Sequence, residues 1–195
     1  MLDIKPPIIL ASNSRARNEM LQNAGLNFQK IPADIDEESI ISNAKSAPSE
    51  LALELAKQKA AHISAKNQNA LVIGSDQILE CDGVIFQKAK TRDEACEKLR
   101  SLRGKTHRLI SSVAIAYENE IIWHNTDTAS LTMHDFSDEF LEKYLTAAHE
   151  DILSCVGAYA FEGTGAWLFD KIDGNYFTIL GMPLLPLLTY LKTRT

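Results

Sequence analysis

Short apolar runs alternate along this chain with stretches in which apolar residues recur at helical spacing, a pattern that predicts strands and helices in turn. Ile8-Ile9-Leu10 is apolar throughout, and small, hydroxyl-bearing Ala11-Ser12-Asn13-Ser14 follows it. This predicts a buried strand, a polar turn and a helix capped at Ser14 that closes near Gly25. Asn27 to Ile31 predicts a second strand ending at Pro32, and residues 33–46, rich in Asp, Glu, Ser and Asn, read as an acidic loop. A helix opens at Pro48-Ser49-Glu50 and runs to about Lys66, with Leu51, Leu55 and Ala56 on one side. Ala70 to Gly74 is a buried strand that delivers Ser75-Asp76-Gln77 at its mouth before Ile78-Leu79 resumes.

Asp82-Gly83 predicts a tight hairpin between Ile78–Glu80 and Val84–Phe86. Thr91 to Leu102 is amphipathic, with Thr91 as cap and Glu94 three residues on. Thr106 to Tyr117 and Glu120 to Thr132 form a long hairpin about Glu118-Asn119, and Ser137 to Ala147 is a further helix. Leu168 to Ile172 is a last strand, Asp173-Gly174-Asn175 a turn and Pro183 to Leu191 a closing apolar helix. No repeat or linker interrupts the chain, so residues 1–195 are expected to form one α/β domain with a mixed sheet.

Composition narrows the chemistry. Of 195 residues, 45% are hydrophobic and 24% charged, the balance of an ordinary soluble globular protein. Cys81, Cys96 and Cys155 are odd in number and widely spaced, which argues against a disulfide framework or a zinc knuckle and for a reducing cytoplasm. The opening MLDIKPPIIL has too short an apolar run for a signal peptide, and no stretch approaches a membrane span. A net charge of −6, from 20 basic and 26 acidic residues, argues against a nucleic-acid polymer as main partner. A phosphorylated small molecule remains a suitable partner if basic residues gather in one place.

Two stretches carry the candidate chemistry. Arg15 and Arg17 fall in the first turn of the helix after Ser14, where the helix dipole favours anions, so a phosphate would explain them. A plain serine cap with solvated arginines explains the same residues. Asp76 at the mouth of an apolar strand needs a partner, a metal or an Asx turn, because a bare carboxylate is costly to bury. Lys59 on its helix and Lys88 after its strand are candidate phosphate contacts, and one carboxylate among Asp34, Asp36, Glu37 and Glu38 is a candidate ligand for a hard divalent cation. His107, His124 and His134 lack the close spacing of metal ligands and read as core or surface histidines. Arg103-Gly104-Lys105-Thr106 is not a Walker A loop, since Leu99 stands where its first glycine belongs. Val156 to Gly165 reads equally as a loop approaching a planar ligand such as a nucleobase and as a glycine turn with two core aromatics.

These residues resemble a known family. Leu10-Ala11-Ser12-Asn13-Ser14-Arg15-Ala16-Arg17-Asn18-Glu19-Met20-Leu21 is similar to the L-A-S-x-S-P-R-R-x-E-L-L opening of the Maf family of nucleotide pyrophosphatases. Ile35-Asp36-Glu37, Leu55 to Ala60, Ile73 to Gln77, Gly157 to Gly163 and Tyr176 to Leu188 match further family motifs in order. The resemblance implies a two-lobed α/β protein, a mixed elongated sheet flanked by helices with a central cleft, like inosine-triphosphate pyrophosphatase. It implies hydrolysis of nucleoside triphosphates to a monophosphate and pyrophosphate with Mg2+ or Mn2+, and it leaves a homodimer open. By the same resemblance Asp76 is the proton acceptor; Asp76, with help from Glu37, is also expected to hold the cation, and the sequence does not choose between base and metal ligand for Asp76. In the family the positions of Ser12, Arg17, Glu37, Lys59 and Lys88 contribute phosphate or metal contacts and those of Asn13, Gln77 and Glu162 bear on base selectivity, while Ser14 is a candidate substrate contact from its place at the helix start. Arg15 and Ala16 depart from the family's Pro-Arg, and Arg17 keeps the shared position. Ser75-Asp76-Gln77 with Glu162 looks more like the branch acting on 7-methyl-GTP than that acting on dTTP and UTP. A non-catalytic nucleotide-binding regulator of cell division is the rival reading, and the carboxylates Glu37 and Asp76 favour the enzyme.

Overall fold

A computed structural model describes residues 4–43, 46–148 and 150–194, with the backbone alone at 150 and 151. Its elements follow the alternation in the sequence: β1 (Ile8–Leu10), α1 (Arg15–Asn23), β2 (Phe28–Lys30), α2 (Glu37–Asn43), α3 (Pro48–Ser64), β3 (Leu71–Cys81) and β4 (Val84–Phe86). Then come α4 (Arg92–Leu102), β5 (Thr106–Tyr117), β6 (Glu120–Met133), α5 (Asp138–Ala147), β7 (Phe169–Asp173), α6 (Tyr176–Ile179) and α7 (Leu184–Leu191). Seven strands form one sheet in the order β2-β1-β3-β5-β6-β7, with β4 paired to β3. Parallel pairing of β1 with β2 and β3, and antiparallel pairing of β3 with β4 and of β6 with β7, make the sheet mixed, as expected of this α/β class. No helix among the described residues is long and apolar enough to cross a membrane.

The chain divides into two compact units: Met1–Gln77 with Ile110–Asp127 and Tyr176–Thr195, and Ile78–Leu109 with Thr128–Asn175. In the first, strand alternation sorts the core onto two faces. Ile8, Leu10, Leu71, Ile73, Val113 and Ile115 pack with Met20 and Leu21 of α1 and Leu184, Leu187 and Leu191 of α7. Ile9, Val72, Ala114 and Ala116 pack on the other side with Ala56, Ala60 and Ile63 of α3. Gly74 continues this second face, and a Cβ there would stand 2.2 Å from the carbonyl oxygen of Ala56 and 2.6 Å from the backbone nitrogen of Ala60. Glycine opposite two alanines lets α3 lie directly on β3.

In the second unit, Asp82 (φ 52) and Gly83 (φ 81) form the expected two-residue turn, with Cys81 opposite Val84. Both take the left-handed conformation that such a turn requires. Thr91 and Ser137 cap α4 and α5 by accepting from the N–H groups of Glu94 and Phe140. His107 is a core histidine: its Nε2 lies 2.6 Å from the Tyr159 hydroxyl, and its Nδ1 is buried without a partner. Around Tyr159, the glycine-rich stretch is a turn packed on a core aromatic. A Cβ on Gly157 would meet the Tyr159 ring at 2.2 Å, and the ring packs edge-on against Phe169.

Two expectations are corrected. Residues 37–43 of the acidic stretch form α2 rather than loop, because Asp36 Oδ1 accepts from the Ser39 N–H and Glu37 and Glu38 complement the positive helix end. With no buried residue, α2 leaves no apolar period to read. Asp76 does not stand at a strand mouth: β3 runs unbroken from Leu71 to Cys81, with Asp76 in its middle. A polar trio can occupy a central strand because every one of its side chains finds a partner. The short α6 and the 3-10 turns at Glu150–Ser154 and Thr164–Leu168 were not expected from the pattern.

Candidate active site in the first unit

Asp76 sits on the α3 face of β3, next to Gly74 in the alternation. The close approach at Gly74 brings Lys59 of α3 to it: Lys59 Nζ donates to Asp76 Oδ1 at 2.6 Å. The same ammonium lies 2.7 Å from Glu37 Oε1, at the start of α2. One lysine thus bridges two carboxylates, and both Lys59 and Asp76 are more than nine-tenths buried. Burial costs the charges their hydration, and mutual pairing offsets it.

Ser75 and Gln77 point to the opposite face, toward α1 and the segment after α6. Arg17 reaches in from α1 and is buried. Its Nε donates to the Gly181 carbonyl at 2.9 Å, and its Nη1 to the Ser75 carbonyl at 2.9 Å and Ser12 Oγ at 3.3 Å. Desolvation draws the Arg17 pKa below its ordinary value while Asp76 and Glu37 oppose that, and the guanidinium keeps its charge. Ser75 Oγ lies 2.8 Å from the Ser112 carbonyl and 3.1 Å from that of Gly181. Gln77 Nε2 is 3.0 Å from Ser111 Oγ, 3.0 Å from the Thr178 carbonyl and 3.1 Å from the Ile179 carbonyl. Thr178 Oγ1 donates in turn to Asp127 Oδ2 at 2.6 Å.

Of the residues singled out in the sequence, Ser12, Arg17, Glu37, Lys59, Asp76 and Gln77 thus fall into this one unit, linked through β3. Ser14 is occupied as the α1 cap, its Oγ accepting from the Arg17 N–H, while its own N–H donates to Ser12 Oγ. Asn13 is exposed, and Arg15 pairs at the surface with Glu19 at 2.7 Å. Lys88 and Glu162 belong to the second unit and are exposed there. In that unit Lys98 donates to the carbonyls of Gln87 and Val156, and burial lowers its pKa to about 8. Sequence reasoning missed Ser111, Asp127, Thr178 and the Gly181 carbonyl. Only Gly181, at φ 106, bears a local mark, since glycine is the residue that adopts this conformation freely.

Among the described residues no group of three or more His, Cys, Asp or Glu side chains could hold a metal ion. Glu37 and Asp76, both within reach of one ammonium, are the carboxylates that could hold a hard divalent cation here.

The first unit thus carries a lysine-bridged carboxylate pair and a buried arginine on the central strand of a mixed α/β sheet. The model of the family described as Maf-like protein matches residues 7–194, and the chain belongs to that family. A relative from Nitrobacter hamburgensis, named nucleoside triphosphate pyrophosphatase, is 44% identical over 96% of this chain and 94% of its own. One of the same name from Bradyrhizobium diazoefficiens is 45% identical over 97% and 94%. A 7-methyl-GTP pyrophosphatase from Rhizobium etli is 43% identical over 96% of each chain. Among solved structures, the Staphylococcus aureus Ham1 protein matches 67% of this chain and 73% of its own at 19% identity, with a TM-score of 0.40.

Proposed function

We propose that this chain is a nucleoside triphosphate pyrophosphatase, one domain over residues 1–195 acting in the cytoplasm. The observation that carries the reading is the Glu37–Lys59–Asp76 bridge beside Arg17, in a chain similar over nearly its whole length to pyrophosphatases. Water attacks the α-phosphorus, the bond from that phosphorus to the α–β bridging oxygen breaks, and pyrophosphate leaves from the monophosphate. Asp76 accepts the proton of the attacking water. Arg17 and Lys59 offset the charge of the triphosphate, with Ser12 and the start of α1 as further donors. A Mg2+ or Mn2+ ion held by Glu37 and Asp76 would supply further charge neutralisation at the phosphates. For this role Lys59 must exchange at least one carboxylate for a phosphate oxygen, so substrate replaces an ion pair already present.

The finer proposal concerns the base. Glu162 accepts from guanine N1–H and the 2-amino group, which favours GTP or 7-methyl-GTP over pyrimidine nucleotides. The relatives bearing the general name and the 7-methyl-GTP name are 44% and 43% identical to this chain, too close to choose between them, so a panel of substrates decides. Purified protein with GTP, 7-methyl-GTP, UTP, dTTP or CTP and magnesium or manganese is expected to release pyrophosphate, fastest with a guanine base. Orthophosphate alone would mark a terminal phosphatase, and binding without either product a regulator.

A further inference from the structure

α6 ends in a turn that calls for a residue with positive φ. The Met182 N–H donates to the Phe177 carbonyl and the Gly181 N–H to the Thr178 carbonyl, each at 3.1 Å, the pair of bonds that closes a helix through a left-handed residue. Gly181, at φ 106, is that residue. Phe177 and Met182, at the two ends of the longer loop, both pack into the core around β1, β3 and β5. A Cβ at position 181 would meet nothing closer than 3.5 Å, so the backbone conformation, and not want of room, selects glycine. The same turn aims the Gly181 carbonyl away from the helix: Arg17 Nε donates to it at 2.9 Å and Ser75 Oγ at 3.1 Å. Arg17 Nη1 donates to the Ser75 carbonyl and to Ser12 Oγ. Three of the five guanidinium hydrogens are thus committed to fixed acceptors, and Nη2 donates to no group among the described residues.

We propose that Gly181 is a positioning residue: its left-handed conformation aims a backbone carbonyl at Arg17 Nε and so orients the guanidinium with Nη2 as the edge offered to a phosphate oxygen of the substrate. A planar guanidinium held at both Nε and Nη1 cannot turn without breaking hydrogen bonds, so its ordering is complete before the anion arrives and does not weaken binding. Closing α6 accounts for the Gly181 N–H and its φ. It does not account for two side chains, from α1 and β3, converging on the Gly181 carbonyl. The proposal rests on the pyrophosphatase reading above for the phosphate, and on the hydrogen bonds alone for the positioning of Arg17.

The test compares Gly181→Ala, which disfavours the positive φ, with Gly181→Asn, which tolerates it better. One readout is the exchange of the Arg17 Nε–H with water, followed by nitrogen-edited NMR and assigned by its loss in Arg17→Lys. This hydrogen should be protected in the wild type and exchange faster by about tenfold or more in Gly181→Ala. The other readout is turnover of GTP: kcat/KM should fall about tenfold in Gly181→Ala, and less in Gly181→Asn, in step with the exchange. In the Arg17→Lys background Gly181→Ala should cost less than about twofold, because effects that pass through one side chain do not add. A glycine that only closes α6 would leave the Arg17 hydrogen as protected as in the wild type, or would cost the same factor in both backgrounds; either result overturns the proposal. If Arg17→Lys is inactive, the exchange readout decides. If Gly181→Ala does not fold, Gly181→Asn decides, and a loss of turnover with the Arg17 hydrogen still protected refutes the positioning. If the wild-type protein releases no pyrophosphate, the pyrophosphatase reading fails by itself, and unchanged protection in the variants would still refute the role of Gly181.

Discussion

Gly74 and Ala56 touch through backbone: a Cβ on the glycine would stand 2.2 Å from the alanine's carbonyl oxygen. That contact sets the distance between α3 and β3, and with it the 2.6 Å bond from Lys59 to Asp76. Packing of three small residues thus governs the geometry of a charged site.

Gly74→Ala should therefore push α3 off the sheet. The obstacle is a backbone carbonyl rather than a flexible side chain, so the loss should reach about 3 kcal/mol, the upper range for overpacking. Urea denaturation measures it, and a change below about 0.5 kcal/mol, the ordinary effect of a surface substitution, would show that the helix tolerates the shift.

Asp76→Asn removes one of two carboxylates around Lys59 and leaves Glu37. Pyrophosphate release should vanish while cooperative folding survives, at a cost of about 1–3 kcal/mol for the weakened buried contact. Lys59→Met leaves Asp76 buried without its ammonium partner, and should cost more, about 3–5 kcal/mol. Comparing the two by chemical denaturation checks the bridge; the reverse ranking would mean that Lys59 is not what holds the carboxylates.

Burial of His107 holds its pKa down to about 4 from an ordinary 6.5. The unfolded chain takes up this proton near pH 6.5 and the folded chain only near 4, so the folded state is favoured fully above 6.5 and loses that advantage as pH falls through about 4. Between pH 7 and pH 4.5 the loss from this group is about 2–3 kcal/mol. The stability of His107→Leu should depend less on pH by that amount, whatever its starting value. Parallel curves for the two proteins would assign the acid sensitivity elsewhere.

At the β3–β4 turn, Gly83→Ala should cost about 1 kcal/mol, since only glycine takes a positive φ without penalty, whereas Asp82→Asn should be close to neutral. Thermal unfolding of both variants gives the comparison; equal melting temperatures would contradict the turn assignment.

Much of this protein could be read along the chain because the signals are local. The Ile8-Ile9-Leu10 strand, the Ser14, Thr91 and Ser137 caps, the Asp82-Gly83 turn and the Glu118-Asn119 hairpin each depend on residues within a few positions of one another. Asp76 stood out for the same reason, as a carboxylate in an apolar run. The sequence also singled out Glu37 and Lys59, but as separate candidates, a cation ligand and a phosphate contact. α2 escaped the reading because it buries nothing, and periodicity is a record of burial.

Only the tertiary structure decided what those residues do together. Lys59 lies 17 positions from Asp76, Arg17 164 from Gly181 and Gln77 101 from Thr178, and no pattern of apolar spacing encodes such pairs. β3 continues through Ser75-Asp76-Gln77, where the chain suggested an end, because distant partners satisfy all three side chains. Caps and turns follow from the short-range geometry of the backbone, which the order of residues determines directly. Buried charge is tolerable only where another part of the chain arrives to meet it, and that arrival is decided by packing, here by the absence of a side chain at Gly74.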